Sequence, residues 1–211
     1  MKDSSISITK RSTKDVIKAA LWQPMTYESF KTLVKALASD GGTTGPEQTD
    51  AYKQYTVLND KRMKRWDKTF KISEEQITQV KAFNRKIIWL VITESWCGDA
   101  APTLPVMNRI TQENQNIQLK IVLRNEHPEL MERFHTNGKL SIPKLIMIDQ
   151  HTHDIIDTWG PLPSIAKKIA DDYKASNGQL TASFKEELQH WFNADKGKNT
   201  INDLLQLLGL E

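Results

Sequence analysis

The sequence has 211 residues, is 38% hydrophobic and 26% charged, and carries a formal net charge of +3. Such a chain is long enough to bury a core without staples, too apolar to be disordered, and too weakly basic to argue for nucleic acid. Its single cysteine excludes an intramolecular disulfide and a four-cysteine zinc site.

Met1 to Asp15 is rich in Ser, Thr and Lys and has no continuous apolar stretch. It is therefore not read as a secretory signal, and a cytoplasmic location is the expectation. The first third is expected to be helical. Thr26 is placed to cap a helix whose Tyr27, Phe30, Leu33, Val34 and Leu37 step mostly by three and four, and Asp40-Gly41-Gly42 ends it. Gly41 to Pro46 reads as a connector: no strand precedes it and no Lys-Ser or Lys-Thr follows, so it is not a phosphate cradle. A second helix is expected from about Asp50 to about Lys68, with Tyr52, Tyr55, Leu58, Arg62 and Trp66 near one stripe. Lys61, Arg62, Lys64, Arg65 and Lys68 on the same helix read as a solvated face. Ser73-x-x-Gln76 fits a capping box for a short helix through Val80 and Phe83.

At Ile87 the pattern changes. Ile87 to Ile92 is a continuous apolar, β-branched run, the mark of a strand buried on both faces. It is the longest apolar run in the chain, far short of the roughly 20 residues that cross a bilayer, so no membrane span is expected. A helix from Asp99 to Gln112 follows, with Leu104, Met107 and Ile110 inward and Val106 at the margin. Ile117 to Leu123 is a second strand, and Pro128 to Phe134 a short helix. Lys144 to Ile148 and Asp154 to Trp159 are strands joined by a polar five-residue connection, Asp149 to His153. Gly160 breaks the run, Pro163 opens another helix, and Thr181 to Asn193 and Asn199 to Leu208 are amphipathic helices. From Ile87 on, β-α-β-α-β-β-α implies one parallel pair, one antiparallel hairpin and an α/β fold: a mixed central sheet with helices on both faces.

That element order, with Trp96-Cys97-Gly98 between the first strand and its helix, resembles the thioredoxin family. Pro102 and Pro105 lie where the family kinks this helix; Ser141-Ile142-Pro143 precedes a strand where the family has its cis-proline; Trp159-Gly160 stands where the family has a glycine before its final helix. The resemblance covers roughly Lys86 to Tyr173 and is closest to bacterial thioredoxin-like proteins with Trp-Cys-Gly-Asp at the site and an added helical N-terminus. The implied organisation is a helical extension at 1–85 packing on the sheet, a thioredoxin-like domain at 86–176, and C-terminal helices at 177–211. The extension either completes the core or shapes the groove near Cys97. Two positions depart from the family: Ala100 stands where its second cysteine would be, and Val91 where its buried carboxylate would be.

Cys97 heads a helix, where free amides and the macrodipole favour a thiolate. Asp99, two residues on, competes for the same amides and repels a thiolate, and Glu94 adds a second acid. The opposing effects are each up to about 1–2 kcal/mol, and their balance is left open. Without a sulfur at Ala100, a mixed disulfide on Cys97 needs an external thiol such as glutathione, or another protein, to resolve it.

The expected function is thus monothiol thiol–disulfide exchange through Cys97 with a protein or peptide partner. The alternative is a non-catalytic module binding an extended peptide in a groove formed by Trp96, Gly98, Asp99, Ile142, Pro143 and Gly160. No resident cofactor or metal is expected: His151 and His153 lack a third ligand and read as turn residues.

Overall fold

The computed structural model describes residues 11–210. Most of the Met1–Asp15 stretch, on which the secretory-signal reading falls, lies outside the described residues. Four helices precede the first strand: α1 (Thr13–Ala20), α2 (Tyr27–Asp40), α3 (Asp50–Thr69) and α4 (Glu74–Ala82). Each begins where a hydroxyl meets a free amide. Ser12, Thr26, Thr49 and Ser73 accept from the N–H three residues on, and Ser29 and Gln76 complete capping boxes on α2 and α4. Helix α1 begins near the end of the polar Met1–Asp15 stretch and runs beyond it; Val16, Ile17 and Ala20 give it a short buried face, which packs with α6 (Pro128–Arg133).

The sheet has the order β2-β1-β3-β4, formed by β1 (Ile87–Thr93), β2 (Ile117–Leu123), β3 (Lys144–Asp149) and β4 (Ile155–Trp159). Strand β1 is central. Val91 pairs with Ile121 in parallel on one side and with Leu145 antiparallel on the other. All of Ile87–Thr93 is buried, which requires cover on both faces of the sheet. At the other edge of β2, Met25 exchanges two backbone bonds with Ile121, of 2.8 and 2.9 Å, and so covers amides that an open edge would expose.

Helix α5 (Ala100–Glu113) follows β1 and is buried nearly all round. Val106, expected at the margin, is fully buried, because α5 is packed by α3, α4, β2 and α9 (Lys198–Leu207) rather than by the sheet alone. Pro102 falls in the first turn, where an N–H has no intrahelical partner anyway; Pro105 lies inside the helix. Helices α7 (Ser164–Asn177) and α8 (Ala182–Asp195) lie between β4 and α9. Among the described residues no helix is long and apolar enough to cross a membrane.

The stripe on α3 differs from the one its apolar residues suggested. Thr56, Asn59, Met63 and Trp66 are buried, while Tyr55 and Leu58 are each 40% exposed. Hydrogen bonds to the loop after β1, described next, let two polar side chains take the inner positions.

Candidate functional site

Strand β1 ends in the middle of the sheet, and residues 94–99 turn the chain into α5. Ser95 anchors that turn. Its hydroxyl lies 2.8 Å from Thr56 Oγ1 and 3.0 Å from Thr43 Oγ1 and accepts the Thr44 N–H at 2.9 Å. Its own N–H donates to Thr44 Oγ1 at 2.8 Å, and its carbonyl accepts from Asn59 Nδ2 at 2.9 Å. All of these groups are buried, so each bond also avoids the cost of a stranded polar group. The Gly41–Pro46 connector therefore has a structural task, through Thr43 and Thr44. The signal in the sequence was polar residues at helical spacing with Met63 and Trp66; the exposed Tyr55 and Leu58 masked it.

Trp96 turns towards the N-terminal helices. Its ring stacks on Tyr52 with centroids 4.3 Å apart and 6° between planes, and the Arg124 guanidinium lies 4.9 Å from the ring centroid. Gly98 lies against α3: a Cβ there would sit 3.6 Å from Arg62 Nη1. Glu94 is buried; its carboxylate accepts the Asn125 N–H at 2.8 Å, and burial holds its carboxyl above the usual range.

Cys97 is 5% exposed. Its Sγ donates to the Ile142 carbonyl at 3.3 Å and also faces the Thr93 side chain and the N–H groups of Asp99 and Ala100. The Ile142–Pro143 peptide is cis, and so is Gly160–Pro161. Gly160 has φ +100°, and a Cβ on it would run into the Pro143 carbonyl, so only glycine lets the end of β4 approach this peptide. The structure thus brings Cys97, Ile142, Pro143 and Gly160 together, while Trp96 and Gly98 border α3. Among the described residues the Ile142 N–H, just ahead of β3, donates to no protein acceptor.

Burial decides the balance the sequence left open. It pushes the Cys97 thiol up to about 12, the Asp99 charge adds to the rise, and the Ala100 and Asp99 amides and Thr93 only partly offset it. Asp99 does not compete for the helix amides, because its side chain makes no capping hydrogen bond. Burial lifts its own carboxyl to about 6, against the pull of Arg62 and Lys185. His151 and His153 lie in the β3–β4 connection, and among the described residues no group of three or more His, Cys, Asp and Glu could hold a metal.

A family model described as Thioredoxin matches residues 45–174, more than half of the chain. The chain belongs to the thioredoxin family. The match takes in α3 and α4 as well as the sheet, so the helix that anchors Ser95 lies inside the matched region. Two solved structures share this thioredoxin-family fold. One is a 1.5 Å crystal structure of a protein of unknown function from Pseudomonas aeruginosa: TM-score 0.57, 15% identity, covering 72% of this chain and 85% of that one. The other is an HIV epitope-scaffold: TM-score 0.56, 14% identity, covering 88% of this chain and 98% of that one. No curated protein matches the chain.

Proposed function

We propose that this thioredoxin-family chain is a binding module that receives an extended peptide segment beside the Ile142–Pro143 peptide, with Cys97 kept as a protonated, packed thiol. The supporting observation is the thiol itself: 5% exposed, donating to the Ile142 carbonyl, and pushed up to about 12. At pH 7 such a thiol is ionised in about one molecule in 10⁵, whereas an ordinary cysteine is a few per cent thiolate. The unused Ile142 N–H is the kind of group that a strand-like ligand engages through its backbone.

The second reading is monothiol exchange through Cys97. It draws support from the Asp99 and Ala100 amides and Thr93 around Sγ, which would stabilise a thiolate once formed. Any mixed disulfide would then be resolved by glutathione or a protein thiol, since Ala100 has no sulfur.

Alkylation of Cys97 by iodoacetamide, followed against pH with and without glutathione, separates the two. The binding reading expects reactivity to rise only above about pH 10 and no stable glutathione adduct at neutral pH. A reactivity midpoint below about 8.5 would overturn it in favour of exchange. Partner capture by the Cys97→Ser chain should equal that of the unchanged chain.

A further inference from the structure

Helix α3 carries three cations on the side facing α8 that form no ion pair among the described residues, Lys61, Arg62 and Arg65; Arg62 acts on Asp99 at longer range, and Arg65 donates to Asn193 Oδ1. Some other helix faces do pair their cations. Lys64 pairs with Asp60, Arg109 with Glu113, Lys167 with Asp171 and Lys168 with Asp172, each one helical turn apart. Arg62 is half-buried, and its hydrogen bond to a protein side chain is one contact of 3.3 Å to Asn59 Oδ1, which leaves most of its five N–H donors free.

These cations line a cavity of about 330 Å³ between α3 and α8, with Leu58 at one end and Glu186 and His190 opposite. A second hollow of about 380 Å³ shares Arg65 and Asn193 with it and continues to Lys196. The cleft neighbours the candidate site through Arg62, whose Nη1 would lie 3.6 Å from a Cβ on Gly98. Tyr55 and Leu58 are exposed one to two turns before Arg62 on the same stripe, so the surface changes from apolar to basic along α3.

We infer that this cleft binds an acidic peptide segment, its carboxylates on Arg62, Arg65 and Lys61 and an adjoining apolar residue on Tyr55 and Leu58. The inference rests on the binding reading above and names the chemistry of the partner. A lone oxyanion would engage one or two of these groups. Cations spread along α3 and on to Lys196 match a chain with repeated carboxylates, and Arg forks suit carboxylate pairs. A polyphosphate strand fits less well, because the net charge of the chain is only +3.

The test uses a short fluorescein-labelled Glu-rich peptide carrying one Leu, the same peptide with Gln for Glu, and a single-stranded oligonucleotide, measured by fluorescence anisotropy at low salt. Backbone amide shifts are recorded in parallel. The Glu peptide should bind at least about tenfold tighter than the Gln peptide, and Arg62→Gln with Arg65→Gln should remove that difference. Equal binding of the Glu and Gln peptides, or a doubly substituted chain that folds and keeps the preference, overturns the inference. So does tighter binding of the oligonucleotide. If the Gln peptide shifts the Ile142 amide as strongly as the Glu peptide, the inference fails and the module reading stands; if no peptide binds, both fail.

Discussion

The inward face of α3 carries Thr56, Asn59, Met63 and Trp66, all buried; its outward stripe carries Tyr55, Leu58, Arg62 and Arg65, with two apolar side chains 40% exposed and two guanidiniums that form no ion pair among the described residues. An ordinary surface helix sorts its residues the other way. Polar side chains are inside because Ser95 offers them donors and acceptors in a dry place, where an unmatched group is costly. Leu58, Arg62 and Arg65 on the outer stripe line the cleft beside α8. One face holds the Cys97 loop through Ser95; the other is where we propose that an acidic peptide binds.

Alkaline pH tests the held loop most severely. With the folded thiol at about 12 and an unfolded cysteine near about 8.5, the protonated thiol contributes fully below about pH 8.5. The contribution is lost as pH rises towards 12, because the unfolded chain then releases a proton that the folded chain retains. Denaturant melts across that range should show the unchanged chain losing up to about 4 kcal/mol relative to Cys97→Ala.

On the inner face, Met63→Ala should lower unfolding free energy by about 2–5 kcal/mol, because Met63 is 2% exposed and leaves a cavity. Asn59→Ala should cost about 1–3 kcal/mol by stranding the Ser95 carbonyl, and the Cys97 loop amides should exchange faster with deuterium. On the outer face, Arg62→Gln with Arg65→Gln should stay within about 0.5 kcal/mol of the unchanged chain. A loss of more than about 2 kcal/mol there would erase the contrast between the faces.

Much of the fold was legible locally. Ile87–Ile92 reads as a central strand because every position is apolar, and Thr26 and Ser73 read as caps because a hydroxyl three residues before an amide closes one bond. The meeting of Cys97 with Ile142 and Gly160 was implied by the resemblance to the thioredoxin family, and the absence of a resolving sulfur by Ala100 and the single cysteine. The α3 stripe and Val106 were misplaced because a periodic pattern shows which residues share a face, not what lies against it.

The sequence by itself determined the strand order's raw material, the helix starts and the solitary sulfur, since each depends on neighbours within a few residues. Only the tertiary structure decided that Cys97 is desolvated, that Ser95 is tied to Thr43, Thr44, Thr56 and Asn59, and that Arg62 stands at the mouth of a cleft. Burial and its electrostatic consequences are set by distant segments, as the Ser95 bonds to Thr44 and Asn59, 51 and 36 residues away, demonstrate, and no local pattern encodes that distance.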